Sequence, residues 1–145
     1  MVKLVLEKSI AIDAPPTKVW DVVSSPDAMR RWIRVRPDFE GGGLLARGSR
    51  VLWKDENGKP YLTGTVVEHE PPRRLVLELD DVSWPRRPQP GEVTYALTLS
   101  ETQNGTELSL VFGDLSIDPK GRKWLDAYAE SGELEAIKRI AESRP

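Results

Sequence analysis

Few residues in this chain of 145 residues have the types and spacing that acid–base chemistry needs. The single histidine, His69, lies between Glu68 and Glu70 in an alternating segment whose parity turns it outward. A solvated position is therefore favoured there over a general base near neutral pH. Glu78 and Asp80 also share an outward parity, and a solvated strand face is favoured over paired acid–base catalysis. The sequence predicts no catalytic residues.

The chain lacks the residues that metal and redox chemistry require. The chain contains no cysteine and a single histidine, which excludes disulfides, thiolate nucleophiles and cysteine-ligated metal clusters. The carboxylates form no cluster with metal-ligand spacing, so we expect no metal and no cofactor. Lysine and arginine number 21 against 23 acidic residues, and the net charge of −2 gives no general attraction to nucleic acid or to an anionic membrane.

Four arginines around Trp32 form a local basic segment. Arginine beside an aromatic ring suits phosphate or a nucleic-acid base, but the balanced charge of the chain argues against a nucleic-acid partner. A contact with an acidic protein surface is favoured over nucleic acid, and solvated arginines on a helix surface are the alternative. The members of this arginine segment are Arg30, Arg31, Arg34 and Arg36.

Aromatic side chains give the strongest functional signal, because the chain has 5 tryptophans. Large aromatic residues with a few polar tips, here Tyr95 and Tyr128, suit an apolar pocket that orients one small molecule. A filled core is the alternative. The predicted ligand-binding cavity residues are Trp32, Trp53, Leu62, Val66, Leu77, Tyr95, Leu97, Leu110, Phe112, Trp124 and Tyr128, with Phe39 and Trp84 at the rim.

Alternation and turn residues indicate the elements that would position these side chains. Residues 1–12, including Val2, alternate as a half-buried strand. Lys8 lies on the apolar parity, and a bulge that turns it outward is favoured over a buried lysine with a partner. Pro16 then opens a helix, and residues 24–27 cap a second helix over residues 28 to about 33. Three glycines at 41–43 predict a loop that is mobile or passes close to another group.

Three turns fix the inward face of the strands that follow, because cross-strand partners share a face. These turns are predicted at residues 57–58, 71–72 and 102–105. The first pairs Trp53 with Leu62, and the last pairs Leu99 with Leu108. A long helix over residues 119–143 would cover the sheet. Gly132 costs about 1 kcal/mol there relative to alanine, and it predicts a bend or a change of packing partner.

The order of motifs is similar to a known superfamily. IAIDAPPTKVWDVVSSPDAMRRWI (residues 10–33) resembles the opening of START-like, or SRPBCC, domains: a strand ending in Ala-Pro, a helix with Val-Trp, then Ser-Pro-Asp and Arg-Trp. FEGGG (39–43), GTVVEHEPPRRLVLEL (64–79) and VTYALTLSETQNGTELSLVF (93–112) resemble the branch named after homologues of the heat-shock ATPase activator.

This resemblance implies one START-like domain over residues 1–145 with an α+β helix-grip fold. In that fold a curved antiparallel sheet of about six strands wraps a long C-terminal helix, and two short helices follow the first strand. An apolar cavity is expected between the sheet and the long helix. The resemblance implies no common chemistry, because the fold serves unrelated functions.

Three functions remain open at this point. The first is the binding of a small hydrophobic molecule without catalysis. The second is a polyketide cyclase or dehydratase type of enzyme in which Tyr95 and Tyr128 move protons. The third is a co-chaperone-like module that binds a protein through the arginine segment.

The absence of a signal peptide or an apolar span leads us to expect a cytoplasmic location and no membrane. An exposed strand edge would permit a homodimer.

Overall fold

The structure is a computed structural model that describes residues 3–41 and 44–143. Val2, Gly42 and Gly43, for which the sequence predicts a strand position and a glycine loop, lie outside these residues. Within them, seven strands form one antiparallel sheet in the spatial order β1-β7-β6-β5-β4-β3-β2. The strands are β1 (Leu6–Ile12), β2 (Asp38–Phe39), β3 (Arg50–Lys54), β4 (Pro60–Glu70), β5 (Arg74–Asp81), β6 (Thr94–Thr102) and β7 (Gly105–Gly113).

Helices follow β1 and β7, and together they cover the inner face of the sheet. They are α1 (Pro16–Ser24), α2 (Pro26–Trp32), a short 3-10 helix (Leu115–Ile117), α3 (Gly121–Glu130) and α4 (Glu133–Glu142). The predicted helix-grip architecture is confirmed. Its additional strand is β2, which has two residues and pairs with β3 at the edge of the sheet.

Both predicted short helices are present, although α2 begins at Pro26, two residues before its predicted start. Pro16 occupies the first position of α1, and the Ser25 side chain accepts a hydrogen bond from the backbone N of Ala28 at the start of α2. At the end of α2, Trp32 donates from Nε1 to the carbonyl oxygen of Val22 over 2.8 Å. This contact fixes α2 against α1.

The registers predicted for the first and last hairpins are confirmed, although the first turn is longer than expected. The turn predicted at residues 71–72 is also one residue longer, since Glu70 pairs with Arg74. Trp53 pairs with Leu62, and the β6–β7 hairpin also has its predicted register. The backbone N of Asp55 donates to the carbonyl oxygen of Lys59 over 2.9 Å, so this turn has one residue more than predicted. A register shift beside Trp53 compensates for the extra residue.

A β-bulge in β4 overturns the predicted outward position of His69. The pairing of β4 with β5 shifts by one residue between Val66 and Glu68, so that His69 pairs with Leu75. Leu75 is buried, and the His69 ring packs edge-on against Trp20 with 5.4 Å between ring centroids. The prediction of a solvated histidine is therefore wrong, and His69 is a half-buried packing residue.

Lys8 also faces inward, contrary to the predicted bulge. It pairs with Leu110 within the unbroken register of β1 and β7. Its Nζ donates hydrogen bonds to the carbonyl oxygens of Ala129, at 3.2 Å, and Ser131, at 3.1 Å. These carbonyls lie at the C-terminal end of α3, where the helix leaves carbonyls unpaired and favours a positive charge. Lys8 therefore fastens β1 to the helical cover.

Two helices, instead of one continuous helix, form the C-terminal cover. The backbone of Ser131 is extended, with φ −68° and ψ 147°, and α4 begins two residues further on. The change predicted near Gly132 is thus a complete break. α4 packs on α1 and β1, whereas α3 contacts the 3-10 helix and β1. None of the helices in residues 3–41 and 44–143 is long and apolar enough to cross a membrane.

Candidate ligand-binding cavity

A cavity of about 140 Å³ lies between the inner face of the sheet and the helical cover. Residues of β3 to β7 line one side, and residues of α2, the following loop, α3 and the start of α4 line the other. Trp124 of α3 lines the cavity and is 42% exposed, which places it at the mouth. An apolar cavity of comparable volume holds one benzene molecule.

Most of the predicted cavity residues line this space: Trp32, Trp53, Leu62, Leu77, Tyr95, Leu97, Phe112, Trp124 and Tyr128. Trp84, predicted at the rim, is buried and lines the cavity as well. Val66 and Leu110 do not belong to the lining, because they are packed into the adjoining core. Phe39 also lies outside it, under the guanidinium of Arg30 at 4.9 Å from the ring centroid.

Protein acceptors satisfy the indole N–H groups of three of the four tryptophans that line the cavity, so these three present mainly apolar surface: Trp32, Trp53 and Trp84. Nε1 of Trp53 donates to the carbonyl oxygen of Val35 over 2.9 Å. Nε1 of Trp84 donates to Oδ2 of Asp118 over 3.0 Å. A buried indole normally finds such a partner, and here the partners also hold the rings in place.

Three aromatic rings form a continuous cluster at one end of the cavity. The centroids of Tyr95 and Phe112 are 5.4 Å apart, and those of Phe112 and Tyr128 are 4.7 Å apart with an edge-on arrangement. The guanidinium carbon of Arg34 lies 5.9 Å from the Tyr128 centroid, within the range of a cation–π contact. The cluster joins β6 and β7 to α3.

Glu133 brings a carboxylate to this aromatic end. It is the first residue of α4 and only 3% exposed. Its Oε1 accepts a hydrogen bond from the hydroxyl of Tyr95 at 2.7 Å, and its Oε2 accepts one from the backbone N of Arg34 at 2.6 Å. The first turn of a helix favours a negative charge. The carboxylate is thus held in the cavity wall by a strand, a loop and a helix terminus.

Burial shifts the ionisation of all three groups at this end. Burial raises the pKa of Glu133, although the hydrogen bonds from Arg34 and Tyr95 and the positive charge of Lys8 act in the opposite direction. Burial and the adjacent Glu133 raise the pKa of Tyr95 well above its usual range. The same two causes raise the pKa of Tyr128 to about 12. Both tyrosines are therefore protonated hydrogen-bonding groups at neutral pH.

Glu133 was not among the predicted site residues. A usable signal was present, since Glu133 directly follows the glycine at which the cover helix was expected to bend, and acidic residues favour a new helix start. Other lining residues that the sequence reasoning missed belong to α2, β4, β5, the 3-10 helix and the loops. They are Met29, Ile33, Arg34, Val35, Tyr61, Leu75, Leu79, Asp81, Leu115 and Asp118.

The arginine segment does not form one uniform basic surface. Arg30 pairs with Asp27 over 3.1 Å and also covers Phe39. Arg34 lines the cavity but is also exposed, as Arg31 and Arg36 are. The proposed protein-binding surface is therefore divided between local contacts and the cavity wall.

A curved antiparallel sheet that encloses a cavity with a C-terminal helical cover defines a START-like protein of the helix-grip fold. The chain belongs to the family of Activator of Hsp90 ATPase homolog 1-like proteins, whose family model matches residues 13–142. Comparison with curated proteins finds no match.

Several solved structures share this fold at low sequence identity. Protein MLL2253 from Mesorhizobium loti is 20% identical with a TM-score of 0.71, over 94% of this chain and 95% of that chain. The Aha1 dimer from Colwellia psychrerythraea is 18% identical with a TM-score of 0.68, over 98% and 97%. DynU16, encoded in the dynemicin biosynthetic locus, is 14% identical with a TM-score of 0.71, over 98% and 48%. At these identities the similarity shows the fold alone.

Proposed function

We propose that this protein binds one small, mainly apolar molecule in the cavity between the sheet and the α3–α4 cover. The observation that supports this most strongly is the open volume of about 140 Å³ within an aromatic wall. Protein interiors are normally packed so closely that few voids exceed the size of a water molecule. A cavity of this size in the core costs stability, and a ligand that fills it would recover the lost contacts.

Toluene provides a direct test, because its single ring matches the volume of the cavity. We expect saturable NMR shifts at the indole N–H groups of Trp53 and Trp84. The variant Leu62→Trp adds bulk to a lining position and should weaken binding at least about tenfold, the effect of losing roughly 1.4 kcal/mol. Val111→Trp is the matched control, since Val111 is exposed on β7, and it should bind toluene as the parent does.

Two results would contradict the proposal. One is the absence of saturable shifts in the parent protein at the solubility limit of toluene. The other is equal toluene binding by the parent and a folded Leu62→Trp variant, because that result would place the binding site elsewhere.

An enzyme that moves a proton of its bound molecule is the second candidate. The hydrogen bond between Tyr95 and the buried Glu133 favours it, since titratable pairs with shifted pKa values occur frequently at active sites. Exchange of ligand C–H protons in deuterated water, followed by NMR, tests this candidate. Exchange that is catalysed by the parent and lost in Glu133→Gln would support it, and no acceleration over buffer would contradict it.

A further inference from the structure

We infer that Glu133 is the recognition group for the ligand, and that the cavity selects apolar molecules with a hydrogen-bond-donating head, an amine or a hydroxyl, over carboxylates. This inference rests on the proposed binding function and names the ligand class. Its basis is the position of a buried carboxylate in a wall that is otherwise mainly apolar.

The carboxylate of Glu133 retains unused acceptor capacity. A carboxylate offers about four lone-pair directions. Two of them are occupied, by the Tyr95 hydroxyl and the Arg34 backbone N, each on a different oxygen. The two oxygens can therefore accept further hydrogen bonds from a molecule in the cavity. A buried carboxylate gains more from an additional donor than an exposed one, because less water competes for it.

The charges around the cavity point to the same ligand class. The described lining residues include one cation, Arg34, and three carboxylates: Asp81, Asp118 and Glu133. The Asp118 carboxylate is held by Trp84, and the Asp81 carboxylate by the backbone and hydroxyl of Ser83. An anionic ligand would meet the like charge of Glu133 at the buried end and would lose its hydration there, while the one lining cation, Arg34, already contacts the Tyr128 ring. An ammonium or hydroxyl group would instead find acceptors.

The aromatic cluster complements a cationic head in a second way. The Tyr95 hydroxyl donates to Glu133 and keeps a lone pair that can accept from the ligand. The Tyr128 ring lies at the same end of the cavity, and Phe112 connects the two tyrosines. Aromatic faces attract ammonium groups. The ligand would therefore orient with its head toward α4 and its apolar body between Trp53 and the leucines of β5.

A series of one-ring probes of similar size tests this inference: toluene, benzyl alcohol, benzylamine and benzoate. Titrations of the parent protein at neutral pH should rank benzylamine and benzyl alcohol above toluene, with benzoate the weakest. In Glu133→Gln the affinity for benzylamine should fall about tenfold relative to the affinity for toluene, the effect of one hydrogen bond to a charged group. Glu135→Gln is the matched control, because Glu135 is exposed in the same helical turn.

The outcomes separate this inference from the function on which it rests. Toluene binding without any preference for donor probes, or a preference that survives in Glu133→Gln, would overturn the recognition role of Glu133 and leave the apolar cavity proposal intact. No binding of any of the four probes would overturn both. If Glu133→Gln does not fold, the ranking in the parent still decides, since benzoate binding more tightly than benzylamine would contradict the inference.

Discussion

Glu133 places a carboxylate in a wall where the neighbouring side chains are mainly apolar. Its two hydrogen bonds to Tyr95 and Arg34 offset part of the cost of burying its charge. Burial still dominates, and it raises the pKa of Glu133 above the ordinary value of 4.5. Burying such a residue costs folding free energy, and groups with pKa values shifted in this way occur frequently at functional sites.

The raised pKa of Glu133 gives a prediction for stability against pH. The folded protein holds the Glu133 proton to higher pH than the unfolded chain does, so this residue lowers stability as the pH rises above about 4.5. Glu133→Gln removes this dependence, and its amide can still hydrogen-bond to both partners. Relative to the parent, the variant should therefore gain stability between about pH 4 and pH 8.

Urea unfolding of the parent and of Glu133→Gln across that pH range measures the difference. Glu135→Gln is the control, since Glu135 is exposed and should show no such gain. A difference between the parent and Glu133→Gln that stays constant with pH would show that burial does not shift the ionisation of Glu133.

Lys8 shows how one charged side chain can replace a helix cap. Its ammonium group binds the carbonyl oxygens of Ala129 and Ser131, which α3 leaves unpaired at its end. Lys8→Met keeps the apolar stem and removes these bonds, so the free energy of unfolding should fall by about 1 kcal/mol. Chemical denaturation checks this value. Lys123→Met, at an exposed position of α3, should have no comparable effect, and an equal loss in both variants would refute the capping role.

The position of α3 depends on a close approach at its first residue. A Cβ built on Gly121 would lie 2.1 Å from the carbonyl oxygen of Leu115, whereas one built on Gly132 would meet nothing within 4 Å. The first contact involves backbone in the 3-10 helix that precedes α3, which has little freedom to move aside. Gly121 therefore allows α3 to pack closely over the cavity, whereas Gly132 lies only at the break between α3 and α4.

The two glycines provide a matched pair of substitutions. Gly121→Ala should lower the free energy of unfolding by more than about 2 kcal/mol, because the added methyl group displaces α3 from the 3-10 helix. Gly132→Ala should cost at most about 1 kcal/mol, as a poorer residue at the start of α4. Thermal unfolding of both variants gives the comparison, and a larger effect at Gly132 would contradict the described packing of α3.

The elements differ in how well local sequence specifies them. Strand pairing followed from the turns, and Trp53 has its predicted partner even though the turn is one residue longer. The orientation of His69 could not be predicted from the turns, because the bulge between Val66 and Glu68 leaves no clear signature in the alternation of apolar and polar residues. The inward orientation of Lys8 escaped prediction for another reason: its partners, the α3 carbonyls, are more than a hundred residues away in the chain.

The fold was predictable from the whole chain, whereas the chemistry of the cavity was not. The order of strands and helices and the family motifs specify a helix-grip fold. The aromatic wall of the cavity could also be predicted, because its residues occupy inward strand positions or recur at helical spacing in the sequence. The polar end of the cavity could not be predicted from the sequence, because Glu133, Tyr95 and Arg34 meet only when α4, β6 and the loop after α2 pack together. Contacts between distant segments of this kind leave little trace in local patterns.

A native mass spectrum of freshly purified protein, compared with the mass of the denatured chain, tests the binding function most directly. We predict a noncovalent adduct with the mass of one small organic molecule on the parent protein, and a smaller fraction of adduct on Leu62→Trp. The same spectrum reports whether the protein forms a homodimer. A native mass that equals the denatured mass, both as purified and after incubation with saturating toluene, would contradict a ligand-binding cavity.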